Sequence, residues 1–299
     1  MTFDARKGSS ASGAGQQNLL FAGVTLAVVC GAFFAVLSLP HKADGAKRLA
    51  DAPAGQVAAV STAPMPRLPG ETAEAYYAAL GRVDAKAQAS LSARIAKAGR
   101  IEDSELSELV MEHAGEVLQA HAGELALADT KHVDRLLDLA RDRLRSASRK
   151  RSKWCEASRY AELQAIEFQK PDQLKSELAE LEAPMREFAF EALTGLMVAI
   201  EDARENPVRR GELTRKDEAA LQGMMMSVMA DPEVMPLMIA LQSGADAGEA
   251  LKGVNICDLA ATAVAAAKTL PQDTKGRMLA DAMGNMEKNG AGAFSAVSF

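Results

Sequence analysis

The stretch from Leu19 to Leu39 (LLFAGVTLAVVCGAFFAVLSL) contains no charged side chain, and Thr25 and Ser38 are its polar ones. At helical rise, a run of this length spans roughly the 30 Å hydrocarbon core of a bilayer. It is predicted to be a single transmembrane helix, and about 260 residues follow it without a second run of that kind. The expected plan is therefore a short tail over 1–18, one span over 19–39, and one large domain on a single side of a membrane. A cleaved signal peptide is the alternative. Its apolar core is shorter, about 7 to 15 residues, and is followed by a small-residue cleavage site, whereas Pro40, His41 and Lys42 follow this run directly.

The charges flanking the span are nearly balanced, with Arg6 and Lys7 before it and Lys42, Lys47 and Arg48 after it. The positive-inside rule does not orient it. Cysteine usage gives the direction instead. Outside the span the chain has two cysteines, Cys155 and Cys257, and an even pair in a cysteine-poor chain reads as one disulfide in an oxidising compartment. The expectation is a bacterial inner-membrane protein with its tail in the cytoplasm and its C-terminal domain in the periplasm. Two reduced, buried thiols in the cytosol are the competing reading.

Tail 1–18 is Gly/Ser/Ala-rich without apolar periodicity, and 40–70 mixes Ala, Pro and Gly. Such compositions hold no core, so the first reads as disordered and the second as a linker. From 71 to 290 the chain is rich in Ala and Met and poor in β-branched runs; with aromatics at 4%, the expected fold is all-α, a multi-helix bundle. A flexible tail, 291–299, closes it.

Within that domain, Tyr76, Tyr77, Leu80, Val83, Ala87, Leu91 and Ile95 recur at spacings of three and four up to Gly99, predicting one long, weakly apolar helix. A second helix begins at Asp103 or Ser104 and runs through Leu125. A third, capped by Asp129 or Thr130, places Val133, Leu136, Leu137, Ala140, Leu144 and Ala147 on one stripe. Helical patterns continue through Tyr160–Phe168 and Leu174–Leu181. The most apolar one carries Phe188, Leu193, Leu196, Met197 and Ile200. Thr214 with Asp217, Asp231 with Pro232, the alanine-rich Asn255–Leu270 and a final segment from Thr274 mark the remaining helices.

Three clusters are candidate sites. Arg141, Arg143, Arg145, Arg149, Lys150, Arg151 and Lys153 crowd the end of the third helix with Asp142 opposing them. Such a run is ordinarily a solvated face suited to a helix C-terminus, and functionally it is a phosphate, headgroup or acidic-protein surface. Met224, Met225, Met226, Met229, Met235 and Met238 form the second cluster. Thioethers fill helical cores, line adaptable partner grooves or hold Cu(I). The third is the HAGE echo, with His113 and Glu116 three apart and His121 eight beyond His113, as weak metal candidates. Eight residues advance a helix about 80° past two turns, which sets the two histidines on different faces.

No glycine-rich phosphate loop, HExxH, GxSxG or metal-spaced cysteine pair occurs. The net charge of −6 and the lack of interleaved aromatics argue against nucleic acid as a partner. The sequence thus reads as a non-enzymatic, cofactor-free envelope scaffold, tether or assembly factor that binds other envelope proteins, with self-association open. A periplasmic copper-handling protein and an envelope enzyme with an unfamiliar helical site are the alternatives.

Overall fold

The computed structural model describes residues 66–156, 183–232 and 254–289, together with 234, 235 and 239. The expected tail, the span 19–39, the linker up to residue 65, the patterns within 157–182, Met238 and the C-terminal tail lie outside the described residues. Among the described residues there are helices and no strands, apart from one isolated antiparallel bridge between Glu156 and Asn255. No described helix is long and apolar enough to cross a membrane.

The helices are α1 (Glu71–Val83), α2 (Ala85–Ala98), α3 (Asp103–Ala120), the single turn α4 (Ala122–Leu125), α5 (Thr130–Arg149), α6 (Ala183–Glu205), α7 (Arg215–Met229), α8 (Ile256–Lys268) and α9 (Gln272–Asn289). A 3-10 turn, Lys153–Cys155, follows α5. The main core lies between α1 and α6 and is closed by α3, α4 and the end of α9. Tyr76, Leu80, Leu106, Val110, Leu118, Phe190, Leu193, Met197 and Ile200 are buried there, with Met283 and Met286 of α9 against them. Alanines 73, 79, 114, 189 and 199 fill the gaps, so the helices approach closely with few aromatics, as composition implies.

The structure departs from the sequence expectation in three places. The helix expected over 71–99 is two helices, because Asp84 leaves helical geometry (φ −148°, ψ 92°) and caps α2 by accepting from the Lys86 and Ala87 amides at 3.0 and 2.9 Å. The chain turns back there, and the Tyr77 hydroxyl meets Ser92 Oγ at 2.6 Å. Helix α1 is paired with α6, against which Tyr76 and Leu80 are fully buried. Finally, the helix expected to run through Leu125 stops at Ala120, and its start is one residue early, at Glu102, whose amide donates to the Glu105 carboxylate.

Residues 66–70, assigned to the linker by composition, lie on the bundle. Leu68 is buried in the core, and Arg67 reaches the Ile101 carbonyl at 3.3 Å and the Asp103 carboxylate.

The apolar stripe of α5 is shared between two neighbours, α6 on one side and α8 on the other. Ala140 and Ala147 are buried, whereas Val133, Leu136, Leu137 and Leu144 are half-buried. Leu136 sits over Gly195 of α6, where a Cβ would come within 3.2 Å of it.

Candidate functional site: the stapled basic end of α5

Helix α5 runs antiparallel to α8 along a ladder of polar contacts. Near its start, Asp134 receives Lys275 Nζ at 2.5 Å and Gln272 Nε2 at 2.7 Å from α9. One turn later Asp138 pairs with Lys268 at the end of α8. At the other end, Asn255 caps α8 by accepting from the Cys257 and Asp258 amides. Its Nδ2 donates to Ser148 Oγ at 2.9 Å, and that hydroxyl donates to Asp258 Oδ2 at 2.7 Å. Lys275, though 95% buried, thus has an ionic partner, with the Lys268 carbonyl as a second acceptor.

The ladder ends in covalent closure. Cys155 and Cys257 form a disulfide across 102 residues, packed with Ala147 and Leu144. Between α5 and this bond the chain makes a tight turn. The Lys150 amide donates to the Ser146 carbonyl and the Ser152 amide to that of Ala147, while Arg151 adopts φ 52°, in the left-handed region that few non-glycine residues occupy. Ser152 Oγ then accepts from the Trp154 amide to open the 3-10 turn.

These contacts sort the seven expected basic residues. Arg141 pairs with Asp138 at 3.0 Å and Asp142 at 3.1 Å. Arg143 crosses to α6, where Glu191 takes both its Nε and Nη2, and Glu187 lies at 3.9 Å. Both serve the fold. Arg145, Arg149, Lys150 and Arg151 are exposed and have no ion-pair partner among the described residues. Arg145 and Arg149, four apart, share one face, and Lys150 and Arg151 extend it around the helix end. Lys153 is exposed next to them and has contacts of its own.

The two HAGE segments fall on different helices, because the break at His121 (φ −107°, ψ 15°) divides them. Each glutamate is held by an arginine from elsewhere. Glu116 takes Arg94 through both oxygens, at 3.0 and 2.5 Å, and Glu124 accepts from Arg204 Nε at 2.9 Å. His121 is bracketed, with Nδ1 2.5 Å from Glu124 Oε2 and Nε2 3.2 Å from Asp84 Oδ2.

The Asp84 hydrogen bond raises the His121 pKa above the ordinary imidazole value despite burial, and the same bond lowers Asp84 to about 2. Burial opposes ionisation of Glu124, but its bonds to Arg204 and His121 outweigh it and hold the carboxyl low. His113 is the opposite case. Burial, with help from the Arg94 charge, pushes it down to about 4, and its Nδ1 has no partner.

With Glu116 committed to Arg94 and both His121 nitrogens facing carboxylates, His113, Glu116 and His121 do not assemble a ligand set. No group of three or more His, Cys, Asp or Glu suited to a metal occurs among the described residues. Nor does His121 offer a nitrogen to a substrate. The arrangement is a polar bolt joining the α1–α2 turn, the α3–α4 break and the end of α6, whose Arg204 also donates to the Val83 carbonyl at 2.6 Å.

The methionines are likewise divided. Met224 and Met225 are buried, Met229 is half-buried, and Met226 and Met235 are exposed. Consecutive helical residues point about 100° apart, so Met224, Met225 and Met226 do not converge on one ion. The large hydrophobic residues exposed among the described residues are Leu213, Met226, Met235 and Ile239, at 37, 60, 44 and 60% exposure, all on α7 or its flanks.

Two polar centres escape sequence reasoning. Asp217 is fully buried and accepts from Arg277 twice at 2.8 Å, from Thr274 Oγ1 at 2.6 Å, and from the Thr214 hydroxyl and amide. The Arg277 bonds foremost hold its carboxyl far below the usual range. The sequence signal was the Thr214-to-Asp217 capping spacing, which is blind to partners sixty residues on. Asp202 gathers Lys131 at 2.7 Å and His132 at 2.8 Å, and these bonds lower it to about 2. No protein family, curated protein or solved structure matches this chain.

Proposed function

We propose that this chain is a single-pass membrane protein of the bacterial envelope, anchored by residues 19–39, whose periplasmic helical domain binds other envelope proteins as a scaffold, tether or assembly factor. The observation that carries the reading is the exposed apolar surface of Leu213, Met226, Met235 and Ile239. Large hydrophobics exposed close together mark interaction surfaces, whereas scattered single ones do not, and these four fall within one stretch of chain, 213–239. Helix α7 rests on α8 and, through Asp217, on α9, and it buries Met224, Met225 and Val228 while Met226 is exposed. The methionines there suit a surface that adapts to a partner's shape.

Further support comes from the disulfide, which fits an oxidising compartment, and from His121, whose ring nitrogens are occupied as a structural group's are. The test is site-specific photo-crosslinking in cells, with the reactive residue at Met226 or at Ile239. Discrete adducts that disappear on Met235→Asp are expected, with none from the same probe at Glu205 on the end of α6. Adduct patterns that are diffuse and identical at all three positions would sink the reading.

A further inference from the structure

We propose that the exposed cations at the C-terminal end of α5 dock the domain on anionic phospholipid headgroups of the membrane in which the chain is anchored. This rests on the anchored reading above and adds an orientation to it. The groups are Arg145, Arg149, Lys150 and Arg151, the members of the basic run that the fold does not employ, since Arg141 and Arg143 are spent on carboxylates of α5 and α6. A helix C-terminus favours one or two cations through its dipole, but four on one exposed end exceed that need. Among the described residues, two of the acidic groups at this end are engaged, and the exposed Glu156 leaves the four cations in excess. Asp142 holds Arg141, Asp258 accepts from Ser148, and Glu156 lies beyond the 3-10 turn.

The surface is also stiff. Disulfide, bridge and Asn255 cap fix the turn on which Lys150 and Arg151 stand, so the charges are presented together. The chain between the expected span and the domain is long. From Pro40 to Met65 there are 26 residues, which reach roughly 90 Å at full extension. A domain of this size is only about 45 Å across. Any face can therefore reach the bilayer, and electrostatics selects one. The chain as a whole is acidic, at −6, so an anionic bilayer repels most of it and attracts this end. Nucleic acid would want ring platforms beside the cations, and Trp154 is the one tryptophan of the chain.

That tryptophan is the reporter. The full chain is reconstituted into vesicles carrying a dansyl-headgroup lipid, either rich in phosphatidylglycerol or wholly phosphatidylcholine, and energy transfer from Trp154 to dansyl is read. Transfer on the anionic vesicles is expected to exceed that on neutral ones by about twofold or more at ~0.1 M salt. It should fall to the neutral level near 1 M, where the screening length is roughly 3 Å. The variant Arg145→Gln, Arg149→Gln, Lys150→Gln, Arg151→Asn loses the difference, asparagine being tolerant of the φ at 151. Arg145→Lys with Arg149→Lys keeps it, which separates lost charge from lost fold.

Equal transfer on both vesicles, or transfer that the fourfold variant retains, overturns the proposal while leaving the anchor intact. If alkaline washing strips the chain from vesicles, the anchor reading fails instead. Salt-sensitive transfer from the unanchored chain would then still sustain the headgroup surface, and its absence would overturn both. Stronger perturbation of Trp154 emission by duplex DNA or an acidic peptide than by anionic vesicles assigns the surface to that partner and overturns the proposal.

Discussion

His113 and His121 stand eight residues apart in near-identical sequence and are driven in opposite directions. His113 is buried without a counter-charge in contact, and its folded pKa is about 4 against an ordinary 6.5. Between those values the unfolded chain binds a proton that the folded chain does not, so stability falls as pH drops from about 6.5 to 4. The full effect is on the order of 3 kcal/mol. For His121 the folded pKa is raised, so its contribution is complete below about 6.5 and is lost as pH climbs through the raised value. Urea unfolding across pH should accordingly show a stability maximum near pH 6.5. His113→Leu is expected to flatten the acid limb above pH 4 and His121→Gln the alkaline limb. A profile rising monotonically from pH 5 to 9 would refute the paired assignment. Below about pH 4 Asp84 and Asp202, both lowered to about 2, add their own acid sensitivity.

At the scale of elements, capping chemistry and charge runs were legible because each is written within a few residues. Asp129, Thr214 and the segment from Asn255 begin helices as read. The break at Asp84 was not legible. Val83 and Ala87 keep a four-residue spacing across it, so the apolar periodicity continues in phase while the backbone turns. What favours the break is the carboxylate's capping bonds together with His121, which lies 37 residues away.

Cys155 and Cys257 were paired by counting, but the ladder from Asp134 to Ser148 that aligns them needed the fold. In the chain-entropy model a closed loop of this length stabilises by about 4 to 5 kcal/mol, with measured values often smaller. Cys155→Ala with Cys257→Ala should therefore lower unfolding free energy by roughly 2 to 5 kcal/mol in denaturant titration. Reductant on the native chain should reproduce the loss. Gly223 in α7 and Gly284 in α9 sit in open space at ordinary helical φ. Alanine at each should raise stability by about 0.5 to 1 kcal/mol, read from the same titration, because glycine carries excess unfolded-state entropy. A loss at either position would mean that the outer side of that helix is covered in the native protein.

For the whole molecule, the all-α class was legible in composition, whereas the site was legible only as residue types. Seven basic residues look alike in sequence, and α6, which takes Arg143, separates them into structural and exposed groups. The oxidised bond and the proposed outside location make a joint prediction. Alkylation of denatured chain taken from intact cells, before any reductant, should label neither Cys155 nor Cys257 in a Cys30→Ala background. Labelling of both would remove the argument for the oxidising compartment.

The partnership of α1 with α6 has a consequence for how the protein is made. Tyr76 and Leu80 find their burial against a helix that ends at Glu205, so more than a hundred residues must be polymerised before the first helix can be covered. At 5 to 20 residues per second, that interval lasts on the order of ten seconds. For that time the nascent chain carries an apolar face with no native cover, and Cys155 exists before its partner. An early Cys155 is thus open to mixed disulfides with other thiols. If the domain lies in the proposed oxidising compartment, biogenesis should depend on a holding chaperone and on a disulfide isomerase, read as lower yield of folded chain in cells lacking either.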